Sequence, residues 1–483
     1  MLDLLPLNVS ALSVWAYPLL VLLAVLLFGT YNVLLHPLLS THKGQLHNRL
    51  KDFHTVYGPI VRVAPNELSY ADSRAWKDIY ANRPGHLLFQ RNRTWFKKRT
   101  PDEPHSIMGF DEASHARYRR AFANAFSDKS LRDQAPIVEG YTDLLVSKLR
   151  KSASRTTDLE DVFQSLAFDI GSDLSFGESF DSIKSGKTHP WVDVAKDFGK
   201  GLALIASINQ YPPMDQLLRF IIPEKVLAKM KDHAMMSNAM AQKRLAMNTD
   251  RPDFVTPTKK YVDAKGGIEP KEWDINLMIF VFASSETIAT ALTSVFRELV
   301  QHPGCLQRLT TELRSTFHSE DEINVASTTH LPYLNAVINE GLRLDPPVAI
   351  GAPPRVVPKG GDTVCGRYVP ADTYVAYNQF ASNRQTYNFH LPNTFLPERF
   401  LVSHKHSQDD MASFNPFSVG RHQCIGMKLA YAEMRIIVAR LVFAFDLKLA
   451  NKHDSFDWGE QESYILWEKR PLNVVLAPAD PFR

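Results

Sequence analysis

The first forty residues are patterned unlike everything after them. Between Leu4 and Thr41 there is no Asp, Glu, Lys or Arg. Within that run, Leu12 to Leu35 is long enough to span a bilayer, which takes about 20 apolar residues. Trp15 and Tyr31 lie roughly 24 Å apart at a helical rise, where interfacial aromatics belong. The run is too long for a signal-peptide core, and no basic segment precedes it. Lys43, Arg49 and Lys51 follow it, so the positive-inside rule places the short N-terminus in a lumen and the bulk of the chain in the cytosol. The expectation is a membrane anchor over 1–41, with a transmembrane helix at about 12–35, and a second unit over 42–483. Asn-x-Ser/Thr sequons occur at Asn8 and Asn92. Asn92 would face the cytosol unmodified, and Asn8 would lie close against the membrane.

Past the linker 42–45 the apolar positions recur at helical spacing. The pattern predicts helices over 46–57, 72–81, 114–125, 135–151, 159–174, 191–209 and 223–247. Pro270 to His302 reads as a long helix, started near Pro270 and stopped by Pro303. Its stretch from Ile275 to Leu292 is apolar nearly all round, as in a helix through a core. Another helix is expected from Ile425 to Phe445. Alternation predicts strands at 60–63, 67–70, 362–368 and 373–376. The segment 84–110 carries charges without a period. The fold class is therefore mainly α with a small β region, behind one N-terminal transmembrane helix.

Composition adds little to this picture. The chain has 483 residues, ample for a large core, and a net charge of +3, which leaves no nucleic-acid footprint. Its three cysteines, Cys305, Cys365 and Cys424, are too few and too odd in number for a disulfide scaffold, and they fit a reducing compartment.

Four constellations carry candidate chemistry. The first is Phe417-Ser-Val-Gly-Arg-His-Gln-Cys-Ile-Gly426. A cysteine just before a helix is placed for its thiolate to be stabilised by orphan N–H groups. Gly420 and Gly426 would permit tight turns and close approach to a flat cofactor, and Phe417 could cover the sulfur. A lone buried thiol is the plainer alternative. The second is the basic stretch His115-Ala-Arg-Tyr-Arg119, which reads equally as a solvated face. The third is Ser284-Ser285-Glu286-Thr287, polar residues inside the apolar helix. Buried, they must be satisfied or functional; the plain reading has Thr287 bonded to a carbonyl one turn back. The fourth is Glu340-Gly-Leu-Arg343, a carboxylate and a guanidinium on one helix face.

The cysteine loop resembles the haem-binding loop of the cytochrome P450 monooxygenases, Phe-x-x-Gly-x-Arg-x-Cys-x-Gly, with His422 in place of the arginine. The other segments fall in family order. Supporting stretches are Tyr57-Gly-Pro-Ile-Val-Arg-Val-Ala-Pro-Asn-Glu-Leu68 and Ala430-Tyr-Ala-Glu-Met-Arg435. The nearest likeness is to the fungal group that includes the trichothecene (isotrichodermin) hydroxylases. The family's Pro-Gly-Pro hinge is absent after His36-Pro37-Leu38.

The resemblance implies haem b with Cys424 as the thiolate ligand to iron. It implies propionate contacts from His115, Arg119, Arg355 and His422, and cofactor contacts from Phe417 and Gly426. Glu286 and Thr287 would deliver protons, with Ser284 standing where the family has a glycine that widens the groove. Glu340, Arg343 and Arg399 would brace the cysteine loop. Phe110, Phe282, Ala283, Val348, Ile350 and the Tyr464 region would line the substrate pocket. The implied activity is oxidation of a lipophilic small molecule, such as a terpenoid, polyketide or alkaloid intermediate, in secondary metabolism. Electrons would come from NADPH through NADPH–cytochrome P450 reductase, at the endoplasmic reticulum membrane. The alternatives are a haem-thiolate isomerase or peroxygenase that needs no reductase, and a non-catalytic membrane haem-binding protein.

Overall fold

The computed structural model describes residues 19–21, 23 and 44–479, apart from 96, 99–102, 262–266, 351–353, 403–407 and most of 188–223. The residues 19–21 and 23 are helical and exposed. The rest of the span expected over 12–35 lies outside the described residues, as do Asn8 and most of the helix expected over 191–209. Asn92 is buried, and its side-chain oxygen accepts a hydrogen bond from the Thr94 N–H at 2.8 Å.

Local signals start most helices. Helix α1 is Leu46–Tyr57. Asp111 caps α2, Glu112–Phe122, by accepting from the Ser114 N–H. Ser127 caps α3, Asp128–Lys151, and Asp158 caps α4, Leu159–Phe176. Helix α3 therefore begins seven residues earlier than the apolar period suggests: its first turns are polar, and Pro136 lies inside the helix. Helix α5 is Glu224–Ala246. A capping box between Glu269 and Glu272, with Pro270 at the first position, opens α6, Pro270–Gln301. Helices α7, Pro303–Thr316, α8, Pro332–Leu344, and α9, Met427–Ala444, complete the principal set. The stretch expected as a helix over 72–81 is a bend leading into one π-helical turn, Trp76–Tyr80.

Helix α6 is the axis of the molecule. It packs along α4 and against α5, α8 and α9. It is the one described helix long and apolar enough to cross a bilayer, yet 61% of its apolar window is buried, which marks it as a core helix.

The strands in chain order are β1 Ile60–Ala64, β2 Glu67–Tyr70, β3 Gln90–Arg91, β4 Thr156–Asp158, β5 Arg355–Val356, β6 Asp362–Val364, β7 Arg367–Val369, β8 Tyr374–Tyr377, β9 Phe445–Leu449 and β10 Asn473–Pro478. The largest sheet runs β1-β2-β8-β5-β3, with β2 and β8 parallel. The single strand expected over 362–368 is instead the hairpin β6–β7. Cys365 and Gly366, at φ +49° and +77°, make its turn. A third sheet, β4-β10-β9, ties the chain's end to the start of α4.

Candidate active site beneath an apolar cavity

The cysteine loop is held by backbone. Gly420 has φ +76°, and a Cβ there would stand 2.1 Å from the Tyr80 carbonyl oxygen. Only glycine lets the loop close on that π-helical turn. Four residues on, the Cys424 N–H donates to the Phe417 carbonyl at 2.9 Å. Gly426 caps α9 at φ −86°, and a Cβ there would touch nothing nearer than Phe126 at 3.9 Å. Gly426 ends a turn whose φ any residue can adopt, so the turn itself does not demand glycine.

Cys424 lies deep in the domain, yet its surface is exposed, because it opens on an interior cavity of about 550 Å³. Burial pushes its thiol up, while the Gly426 amide and the Arg119 guanidinium pull it back toward the thiolate. Phe417 lines the same cavity, its ring against Tyr431 at 5.0 Å. From α6 the cavity receives Phe282, Ala283, Thr287, Ile288 and Ala291, and beyond α8 it receives Val348 and Ile350. One expected lining residue is elsewhere, and the Tyr464 region contributes through its neighbours. Phe110 packs on His105 at 4.8 Å; the Tyr464 region lines the wall through Ile465 and Leu466, while Tyr464 itself turns its hydroxyl to Glu462.

One wall is basic. Arg355 on β5 is buried, and its Nε and Nη1 have no partner. It stands directly opposite Arg91 on β3 in the strand register. Like charges placed so repel unless an anion lies between them. Arg91 is not legible in the sequence, since a two-residue strand has no period and only the register brings it to Arg355. His115 and His422 pack with ring centroids 4.2 Å apart and planes tilted by 42°, each with a buried ring nitrogen unpaired, Nδ1 and Nε2 respectively. Burial, then the neighbouring Arg355 and Arg91, lowers His422 to about 2. Burial, then His422, lowers His115 to about 3. Both rings are neutral at pH 7. His422 lies 3.1 Å from Glu112, unaligned for a hydrogen bond. Arg119 donates to the Gln423 carbonyl at 2.9 Å and so holds the cysteine loop itself.

Glu112, His115 and His422 bring ligand atoms within 4.8 Å of one another, a spacing open to a metal ion. Arg91, Arg119, Arg355 and Arg421 all act on His422. Four guanidinium groups repel a cation and favour an anion. The unpaired Arg355 and imidazole nitrogens beside an exposed thiol fit the two carboxylates of a haem.

Glu340, Arg343 and Arg399, expected to brace the loop, are brought together in one network. Arg343 Nε lies 2.7 Å and Arg399 Nε 3.1 Å from Glu340, all three with side chains fully buried. Arg343 also donates to the Asn383 and Pro392 carbonyls, and Arg399 pairs with Asp409 at 2.5 Å.

On α6 the polar residues separate by face. Thr287 lines the cavity, its hydroxyl donating to the Ala283 carbonyl at 2.7 Å, which is the plain reading of that residue. Ser284 faces Gly171 on α4, where a Cβ would come within 2.5 Å of its hydroxyl. The serine is absorbed by a glycine across the helix contact and does not narrow the cavity. Glu286 also points away from the cavity. Its carboxylate accepts from Gln164 at 2.8 Å and from Lys469 at 2.9 Å, and it is buried.

A helical domain whose loop cysteine opens on an apolar cavity beside an anion-binding wall is the build of a haem-thiolate oxidoreductase. The cytochrome P450 family model matches residues 28–475, and the chain belongs to that family. It is similar to the cytochrome P450 monooxygenase astJ of Aspergillus oryzae, 40% identical over 91% of this chain and 88% of the relative. It is 37% identical to the cytochrome P450 monooxygenase atr2 of Stereocaulon alpinum, over 92% of each. It is also 37% identical to the trichothecene C-15 hydroxylase of Fusarium sporotrichioides, over 90% of this chain and 88% of that one. The protein is a monooxygenase of this family, and membership implies haem held by a cysteine thiolate.

Proposed function

We propose that this enzyme oxidises a lipophilic small molecule of fungal secondary metabolism, with electrons passed from NADPH by NADPH–cytochrome P450 reductase. The observation that carries this reading is Cys424 opening on an apolar cavity whose α6 wall holds Thr287. Cys424 would ligate the iron, and Arg91, His115, Arg355 and His422 would hold the propionates. When bound there, the haem supplies oxygen activation. Arg119 keeps the thiol's loop in place through Gln423, and Glu340, Arg343 and Arg399 brace it from behind. Phe282, Ala283, Val348 and Ile350 orient an apolar substrate and exclude water. Thr287 holds a hydroxyl in the cavity for proton transfer, and Glu286 supplies the proton from the far face of the helix. A trichothecene-like terpenoid or a polyketide suits the cavity's chemistry. Residues 1–41 anchor the chain in the endoplasmic reticulum membrane, single-pass, with 42–483 as the cytosolic catalytic domain.

The test is the absorbance of reduced, CO-treated microsomes carrying the protein. The band typical of thiolate ligation is expected in the wild type and absent in Cys424→Ser. Its absence from the wild type would refute the haem-thiolate reading. Product formed without reductase would favour the isomerase or peroxygenase alternative.

A further inference from the structure

The apolar cavity that receives Cys424 also reaches the large sheet, where Leu46 and Leu50 of α1, Val63 of β1 and Ala376 of β8 line it. Among these apolar side chains stands Glu67 of β2. Successive residues of a strand point to opposite faces. The register sets Leu68 beside Val375 and Val375 beside Arg355 on one face, so Glu67 lies on the other, with Ser69 and Ala376. The arginine wall is thus turned away from it. Glu67 lies deep in the domain, yet it keeps accessible surface, because it opens on the cavity. Burial alone raises its carboxyl from 4.5 to about 7, and among the described residues neither a hydrogen bond nor a charge offsets it. Asn378 donates to Ser69 at 2.5 Å on that face, and not to Glu67. Gln379 lines the same cavity, and its side-chain oxygen is buried without a donor.

Two acceptors on one cavity therefore lack a donor. An acceptor held from water in this way is costly, and a ligand that brings the donor removes the cost. We propose that Glu67 is a specificity residue: it accepts a hydrogen bond from a hydroxyl group on the substrate, and so fixes which end of an apolar molecule reaches Cys424 and Thr287. That end of the cavity is built by α1, β1 and β2, whereas Cys424 and Thr287 come from the α9 loop and α6, so the hydroxyl is held apart from the carbon that reacts. A hydroxyl suits the place better than an ammonium does. A cation brought among these apolar side chains loses its own water, which offsets most of the ion pair, whereas a hydroxyl loses far less. The inference rests on the reading of this cavity as the site of an apolar substrate.

Calorimetric titration of the haem-loaded enzyme tests it, with 1-decanol and its methyl ether, 1-methoxydecane, as probes. The two share a chain and an acceptor oxygen, and only the alcohol donates. At about pH 8.5 the Glu67 carboxyl is ionised and can only accept. The wild type should bind 1-decanol about 10-fold tighter than the ether, or more. In Glu67→Leu, 1-decanol should weaken by about 10- to 100-fold while the ether keeps its affinity, which shows that the variant is folded. Glu67→Gln, which keeps an acceptor, should retain most of the preference. With reductase supplied, Glu67→Leu should oxidise 1-decanol at more carbons than the wild type does. Equal affinities of alcohol and ether in the wild type would overturn the inference without any variant. So would an unchanged preference in Glu67→Leu. Tighter binding of decyltrimethylammonium than of 1-decanol would put a cation in place of the hydroxyl and overturn it too. An ether that does not bind the wild type would instead overturn the apolar-substrate reading on which the inference rests.

Discussion

At the scale of single residues, two glycines of one loop have different standing. Gly420 is held at positive φ with the Tyr80 carbonyl where a side chain would be, whereas Gly426 has ordinary φ and open space. Gly420→Ala should destabilise the protein by at least about 1–3 kcal/mol from the backbone alone, with the clash in addition. Gly426→Ala should be tolerated in denaturant unfolding of the haem-free chain. Equal effects of the two would contradict the loop geometry. The sequence motif makes both look alike, because spacing reports that a glycine is present and not what surrounds it. Ser284 teaches the same point. It departs from the family pattern, but Gly171, 113 positions away in the chain, makes room for it.

At the scale of elements, the periodic and capped helices are legible in the order of residues. Helices α1, α4 and α6 fall within two residues of where pattern and cap residues put them. The basic stretch on α2 is ambiguous by its pattern, and packing decides it. His115 and Tyr118 are buried, and Arg117 pairs with Glu272 on α6 at 2.5 Å, so this is no solvated face. The Glu340 network joins α8 to the loops bearing Arg399 and Asp409. Removing the charge in Glu340→Gln leaves two buried guanidinium groups short of a partner and should cost about 3–5 kcal/mol, read as a lower denaturation midpoint at unchanged slope. Helix α9 carries a further titration. Glu433 is buried, and burial alone pushes its carboxyl from 4.5 up to about 8. The folded protein keeps this proton where the unfolded chain has lost it. Its contribution to stability is therefore full below about pH 4.5 and is lost as pH rises through 8. Thermal unfolding between pH 5 and 8 should show that loss, and Glu433→Gln should flatten it.

At the scale of the whole molecule, the apolar run proposed as an anchor should be separable from the rest of the chain. Deleting residues 1–41 is expected to move the chain from the microsomal pellet to the supernatant with its reduced-CO spectrum intact. A lost spectrum would mean that the anchor contributes to the fold. The rest is organised around α6, with Thr287 in the apolar cavity on one face and Glu286 paired with Lys469 on another.

The features that the order of residues settles are local or borne by motifs: the helical class, the caps, the cysteine loop, the Glu340–Arg343 pair and the apolar N-terminal run. They are legible because their causes lie within a few residues, in period, spacing and capping chemistry. Folding in three dimensions decides the rest. It sets Arg91 against Arg355 through strand register, pairs β4 and β9 with the distant β10, and turns Glu286 to Lys469 and away from Thr287. Neighbours on a helix differ by about 100° in direction, and what stands in each direction depends on chain hundreds of residues away. Sequence spacing carries no record of that.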